Sequence, residues 1–429
     1  MKKLVSLSLV LVMLLALVAC GTPVAETTPT PQTGTETETP TETPVEIQYS
    51  QGASATEIIV ANSAATSGPY AAVGVPFLAG IEAYMAYVNA GGGIDGRTIT
   101  FKHFTDDEFD PAKGKAALAG MVEDEKVFAI VGHFGTPVVG ATIDDLKDYG
   151  IPAVYFATGI GQLYSDAAAT NAEGYNIFPV QPIYVTEGSI MVAYAAGQFE
   201  ATKIGVIYTN DDAGMDLYRG AQAQVDKLDG IELVAEQVTA GSADVSAAIT
   251  SIKNADVDFI IVASIQGTMP TIVKELAAQS VNKDCITTYV NVSSAMSEAV
   301  VNDIQGKFDV YGLGWVAYDD AASLALYQEW APEEYAMNAY AQTGWIAGHF
   351  FCEGLRRIEG QDITWENYMQ ALENGGPVKN PFGGMIDYSN GQRLGTQEMN
   401  LSKVVPASDA WPAGWELVAP LASINSLLG

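Results

Sequence analysis

The chain has 429 residues, room for two or three domains, and its 48% hydrophobic content supports at least one large core. Its 51 acidic residues against 20 basic ones give a formal net charge of -31 at pH 7. A field of that sign repels nucleic acid and anionic lipid surfaces, so DNA and RNA partners are excluded at the outset.

The first 20 residues, MKKLVSLSLVLVMLLALVAC, hold two lysines, then a leucine- and valine-rich run too short to span a bilayer comfortably, then small residues before a cysteine. This is the layout of an export signal. The ending LVAC resembles a bacterial lipobox, which implies cleavage before Cys20 and diacylglycerol on its sulfur; the alternative is a plain secretory signal with an incidental cysteine. The mature protein is then expected outside the cytoplasm, anchored to the outer face of the cell membrane by lipid on Cys20. Residues 21–55 are rich in Thr, Pro, Glu and Gln and carry almost no large apolar side chain before Ile47. Such a stretch buries too little surface to offset its ordering entropy, so a disordered tether is expected over 21–55. Fully extended, it would reach on the order of 100 Å.

From residue 56 short β-branched runs alternate with longer stretches of helical spacing. Strands are predicted at 57–62, 98–104, 126–132, 151–158, 203–209, 231–238, 258–264, 284–292 and 309–316, and helices among them at 77–89, 245–254 and 271–279. Runs this apolar are buried on both faces, as a parallel sheet covered by helices requires. The repeated β-α order, broken near NIFPVQPIYVTEG (176–188), predicts two doubly wound α/β lobes. The glycines of GGGIDG (91–96) have dinucleotide-loop spacing but follow a helix and precede a strand, the reverse of what a pyrophosphate site needs. They read as a helix end and turn.

Ligands of open α/β sheets bind where strand ends enter helices. Six such loops share one character: NSAATSGPYAAVG (62–74), GHFGTPVVG (132–140), FATGIGQ (156–162), TNDDAGMD (209–216), ASIQGTMP (263–270) and VNVSSAM (290–296). They are small, hydroxyl- or amide-rich and nearly uncharged, so what they grip must be held by backbone amides and helix N-termini, each worth roughly half a positive charge. For any single loop the plain reading competes: Thr136 before Pro137 is also an ordinary N-cap followed by proline at the first helical position. The functional reading rests on the set converging between two lobes.

SGPYAAVGVPFLAGIEAYMAYVNAGGGIDGRTI (67–99), DDEFDPAKG (106–114), GHFGTPVVG, IPAVYFATG (151–159), QPIYVTEG (181–188) and IGVIYTNDDAGMD (204–216) resemble, in order, the solute-binding proteins of ABC importers in the leucine/isoleucine/valine-binding family. The resemblance covers nearly everything from residue 56 onward. It implies the type I periplasmic binding protein fold: two Rossmann-like lobes joined by three crossovers around a ligand cleft. Lobe 1 is then 56–180 plus 316–380, and lobe 2 is 181–315 plus 381–429.

Carried over position by position, the resemblance implies that Phe134, Gly135 and Thr136 form the loop holding a ligand carboxylate, with Ala157, Thr158 and Gly159 completing the cradle. Ser67 and Tyr70 supply a wall, Asp212, Gln266 and Asn291 close from the second lobe, and Tyr184 stands at the first crossover. Amino-acid binders of the family carry a glutamate near the position matching Asn291, where it pairs with the ligand ammonium. A buried ammonium without a partner costs several kcal/mol. Asp211 or Asp212 are the available substitutes; if neither points inward, the ligand is a carboxylate without an α-amine, or a neutral amide.

Enzymatic readings find little support. The three histidines, His103, His133 and His349, form no metal-protease pattern, and there is no C-x-x-C and no nucleophile elbow. His133 stands at a strand end, where a structural hydrogen bond is commoner than catalysis. Asp106, Asp107, Glu108 and Asp110 lack the glycine and final glutamate of an EF-hand, so a solvated loop turning at Pro111 is expected. Trp315, Trp330 and Trp345 offer stacking surfaces or, more simply, core. Cys285 and Cys352 fall in opposite lobes and are expected as free buried thiols.

The expected function is therefore capture of a small carboxylate-bearing solute, a branched-chain or other amino acid or an aromatic or aliphatic acid, and its delivery to permease subunits. Neither cofactor, metal nor catalytic residue is expected, and the protein should be monomeric. The alternatives are a ligand-sensing receptor module of the same fold, disfavoured because no spanning or output segment follows residue 429, and, further off, a hydrolase.

Overall fold

The computed structural model describes residues 46–165, 174–317 and 320–429. The export signal, Cys20 and the tether up to Val45 lie outside them. The first half of the fold runs β1 (Glu57–Ala64), α1 (Ala71–Ala90), β2 (Thr98–Asp106), α2 (Pro111–Ala119), β3 (Ala129–Phe134), α3 (Thr136–Tyr149), β4 (Ala153–Ala157) and β5 (Ile177–Phe178). These strands form one parallel sheet in the order β2-β1-β3-β4-β5. Their apolar side chains alternate between two cores. Val60, Val131 and Val154 join the cluster that contains α1, and Ala61, Ile130 and Ala153 join the cluster under α2 and α3. Burial on both faces is why the runs are continuously apolar rather than alternating.

The second half continues with α4 (Tyr184–Gly197), β6 (Lys203–Thr209), α5 (Asp212–Val225), β7 (Glu232–Val238), α6 (Ser246–Ala255), β8 (Phe259–Ala263), α7 (Met269–Ala278), β9 (Cys285–Thr287), α8 (Ser294–Ile304) and β10 (Val310–Gly314). The remainder is α9 (Ala321–Trp330), α10 (Ala339–Arg356), α11 (Trp365–Asn374), a small hairpin β11 (Val378–Lys379) and β12 (Met385–Ile386), then β13 (Glu398–Val404), β14 (Trp415–Ser423) and α12 (Ile424–Leu428). The second sheet has seven strands in the order β14-β13-β10-β9-β8-β6-β7, parallel except for β13 and β14, which add antiparallel to β10. The chain passes between the sheets three times, before α4, after β10 and before β13. Helix α10 returns to the first half, where Gly80 and Gly344 let α1 and α10 touch backbone to backbone; a Cβ on Gly80 would sit 1.8 Å from the Ala341 carbonyl oxygen.

Several expectations are revised. Residues 47–55, read as the end of a tether, are held to the fold: Gln48 and Ser50 pair their backbones with Ile363, the Gln48 amide donates to the Asp362 carboxylate, and the Arg97 guanidinium lies over the Tyr49 ring. Backbone pairing with a distant segment orders this stretch despite its composition. The strand expected at 284–292 ends at Thr287, and residues 289–291 form a 3₁₀ turn. Thr136 is not an N-cap. The cap is Gly135, at φ 90°, and Thr136 is the first residue of α3. Pro111 opens α2 rather than turning a loop, with Asp110 capping the amides of Ala112 and Lys113. The glycines at 91–96 do close α1 and turn into β2, with Gly92, Gly93 and Gly96 at positive φ. Cys285 lies on β9 and Cys352 on α10, both free and buried.

Candidate ligand-binding cleft

A cavity of about 510 Å³ lies between the two sheets, within the range of small-molecule sites. Its wall from the first half comprises Tyr70, Phe77, Phe109, Phe134, Gly135, Thr136 and Ala157; the second half contributes Ile265, Gln266, Tyr289, Val290 and Val292. Gln181, Tyr184, Trp315 and Val316 enter from the crossovers, Tyr340 and Thr343 from α10, and Trp411, Trp415, Leu417 and Leu421 from the C-terminal strands and the loop between them. Among the described lining residues there is no lysine, arginine or histidine, and Asp409, exposed at the rim, is the single carboxylate.

The inner end is polar. Thr136 Oγ1 lies 2.8 Å from Thr158 Oγ1, and the Tyr184 phenol meets both hydroxyls. Burial raises the Tyr184 pKa, and those hydroxyls act against the rise. Thr158 Oγ1 also accepts from the Ile160 amide at 3.2 Å, while the Tyr184 amide donates to the Gly159 carbonyl at 2.9 Å. Three hydroxyls thus gather at the N-terminus of α3, where first-turn amides lack helical partners. Gly135 makes room for them: its positive φ excludes other residues, and a Cβ there would lie 2.6 Å from the Phe109 ring.

The flanking walls are fixed by internal bonds. Tyr289 donates its hydroxyl to Gln181 Oε1 at 2.9 Å and stacks on Tyr184 with centroids 5.7 Å apart. Gln181 in turn donates to the Tyr155 hydroxyl at 2.6 Å. Behind Tyr289, Glu187 is fully buried and accepts from the Thr288 hydroxyl at 2.6 Å and the Tyr289 amide at 2.7 Å; burial pushes its carboxyl up to about 8 against those two bonds. Tyr70 stacks on Phe109 at 3.8 Å and sets its hydroxyl against Gly267 of the opposite half. Burial, with the Asp211 charge adding to it, pushes the Tyr70 phenol up to about 12.

Of the twelve residues singled out in the sequence, Tyr70, Phe134, Gly135, Thr136, Ala157, Tyr184 and Gln266 line this cavity. Thr158 stands one hydrogen bond behind Thr136, and Gly159 is packed against the Pro182 carbonyl. Three are elsewhere. Ser67 is exposed and bonds Asp106, whose carboxyl is held down to about 2: burial opposes this, but the Ser67 hydroxyl and the Thr66 and Glu108 amides prevail. Asp212 lines a separate cleft with Gly161, Asp216 and Arg219. Asn291 is buried in the sheet end, donating to the Ser264 carbonyl and Thr287 Oγ1 at 2.8 and 2.7 Å. Asp211 is spent on capping α5, accepting from Gly214 and Thr209. His133 is buried and bonded to Thr142 at 2.7 Å, and burial pushes its imidazole down to about 4, so at neutral pH it is an uncharged structural residue.

Sequence reasoning missed Phe77, Phe109, Tyr289 and the C-terminal Trp411 and Trp415. Tyr289 had a usable signal, being next to a strand-end loop already singled out, whereas nothing local marks Trp411 or Trp415 as cavity residues.

The family model described as periplasmic binding protein matches residues 57–409. The Leu/Ile/Val-binding protein homolog 2 of Brucella abortus (strain 2308) is 26% identical over 293 residues, covering 68% of this chain and 77% of that protein. A fatty acid ABC transporter substrate-binding protein from Thermomonospora curvata superposes with TM-score 0.74 at 16% identity, over 90% of this chain and 97% of that one. A branched chain amino acid ABC transporter from Thermus thermophilus with bound valine gives TM-score 0.74 at 16% identity, over 87% and 98%.

Proposed function

The chain belongs to the periplasmic binding protein family, and from that premise we propose that it is the extracytoplasmic solute-binding component of an ABC importer. In this reading it captures a small carboxylate-bearing solute between its halves and delivers it to a membrane permease, while lipid on Cys20 holds it at the membrane. The observation that carries the reading is the cluster of Thr136, Thr158 and Tyr184 hydroxyls at the start of α3, inside an otherwise apolar cleft. Hydroxyl donors and unpaired first-turn amides suit an anion, and they hold it without a formal positive charge.

Relatives named for leucine, isoleucine and valine, and neighbours named for valine and fatty acid, support a carboxylate as the shared chemistry. An α-amine fits this cleft poorly. Asp211 caps a helix, Asp212 faces another cleft, and Asn291 offers its amide to the sheet. An aliphatic or aromatic acid is therefore preferred over an amino acid. The lobes expected as 56–180 plus 316–380 and 181–315 plus 381–429 are taken with the last boundary moved to the crossover before β13, because β11 and β12 pair across 380/381; closing them around the ligand shifts the open-closed equilibrium by the ligand's differential affinity.

The experiment is mass spectrometry of small molecules co-purifying with the protein, followed by calorimetric titration of the identified compound and of its amide. A carboxylate that binds and an isosteric amide that does not is the expected result. Equal binding of both would remove the anion cradle from the account.

A further inference from the structure

Resting on that reading, we propose that the solute is an elongated monocarboxylate with an unbranched aliphatic chain, and that the C-terminal strand pair with its connecting loop forms the tail subsite. The cleft is continuous from Thr136 to Leu421. The segment 289–293 links its two ends: Tyr289 stacks on Tyr184 at the hydroxyl cluster, and four residues later the Ser293 carbonyl accepts from the Trp415 indole at 2.8 Å.

Several polar donors along the middle of this path are already paired. Gln266 Nε2 donates to the Val290 carbonyl at 2.8 Å, the Tyr340 hydroxyl contacts the same carbonyl and Ser293 Oγ, and Asn400 Nδ2 donates to the Val316 carbonyl at 2.8 Å. A side chain whose hydrogen bonds are made within the protein presents mainly its apolar surface to a ligand, and a polar ligand group there would be desolvated without return. The outer end is mostly apolar, with Asp409 exposed at its rim. Trp411, Leu417 and Leu421 line it, and Leu417 is 43% exposed. A branched-chain acid seated at Thr136 leaves that surface uncovered, whereas a chain running past Val292 and Trp415 covers it.

Each methylene that stays within the cleft should tighten binding roughly fourfold, the fold-change that corresponds to about 0.8 kcal/mol. The test is calorimetric titration of the full protein, freed of co-purified ligand, with butanoate, hexanoate, octanoate and decanoate. The same series is run on Trp411→Ala and Leu421→Asp. Dissociation constants should fall stepwise with length, and each variant should cost decanoate about fivefold more affinity than it costs butanoate. If one variant does not fold, the length series with the other decides. An affinity flat beyond butanoate, with Thr136→Ala still weakening butanoate, overturns the tail subsite and leaves the proposed function standing. No binding at any length, in protein that remains folded, overturns the tail subsite, and the co-purified ligand and its amide then decide the proposed function.

Discussion

Thr136 and Thr158, the first residue of α3 and the residue just past the end of β4, share a 2.8 Å hydrogen bond between their hydroxyls. Each hydroxyl carries one hydrogen and the Tyr184 phenol meets both threonines, so a ligand oxygen joins the cluster by taking over one of these mutual contacts. Two neighbouring strand ends thereby present their side chains to one point. Neither threonine caps its helix; Gly135 occupies that position.

Thr136→Ala should weaken the proposed carboxylate ligand by about 1.5 kcal/mol, or roughly tenfold, since on that proposal it removes a hydrogen bond to a charged group. Thr136→Ser should retain most of the affinity. Titration calorimetry separates the two, and thermal melts should show both variants folded. An unchanged dissociation constant for Thr136→Ala would take this residue out of the cradle.

The two halves are also joined beside the cleft. Asp216 of α5 accepts from the Gly161 amide at 2.8 Å across the gap and from Arg219 at 2.9 Å on its own helix. On the proposed closure, Asp216→Ala removes a contact between the halves, so it should lower ligand affinity by about threefold to tenfold. Small-angle scattering of the ligand-free variant should show a larger radius of gyration than wild type. Equal radii and equal affinities would mean the contact does not bias closure.

The parallel part of the fold was legible because strands buried on both faces must be continuously apolar, as in KVFAIVG, where residues 127–134 are all buried. The last two strands were not legible. Residues 415–423 include Glu416 and Pro420, composition that speaks against a central strand, and they form the sheet's edge, where both are tolerated. Their neighbour, β13, pairs with β10 from a distant part of the chain, so no local signal fixes it.

Within the site, loop positions were readable and side-chain directions were not. Asn291 stands at a strand end as expected, yet the 3₁₀ turn at 289–291 accompanies an amide directed to Ser264 and Thr287, while Tyr289 reaches the cavity. Asp212 follows the same rule: it lies in the strand-end loop singled out at 209–216, where it begins α5, and lines the neighbouring cleft.

Arg393, just before the third crossover, is 1% exposed. It donates to Glu373 Oε2 and the Tyr175 carbonyl at 3.0 Å each, and its guanidinium lies over Phe178 at 4.4 Å. Arg393→Ala would leave Glu373 buried without its partner, and a loss of about 3–5 kcal/mol in folding stability is expected. Removing both charges in Arg393→Met with Glu373→Leu should recover most of that loss, because the desolvation cost disappears along with the pair. Urea denaturation of the two variants tests the point; a double variant no more stable than Arg393→Ala would mean packing, not charge, sets the penalty.

Glu187 gives the fold a pH dependence of opposite sign to that of a salt-bridged carboxylate. Burial raises its pKa from 4.5 in the unfolded chain to about 8, with the Thr288 hydroxyl and Tyr289 amide lowering it only in part. Between those two values the folded state binds the proton and the unfolded state does not, so stability falls as pH rises, by up to about 1.4 kcal/mol per unit. Below about 4.5 both states are protonated, and above about 8 both are ionised, so the slope vanishes at either end. Glu187→Gln lacks the titration, keeping its oxygen as acceptor for the Tyr289 amide while its Nε2 faces the Thr288 hydroxyl, which can accept. Denaturant unfolding at pH 5, 6, 7 and 8 should show wild type losing stability relative to Glu187→Gln across that range, and parallel profiles for the two proteins would exclude a raised carboxyl at this position.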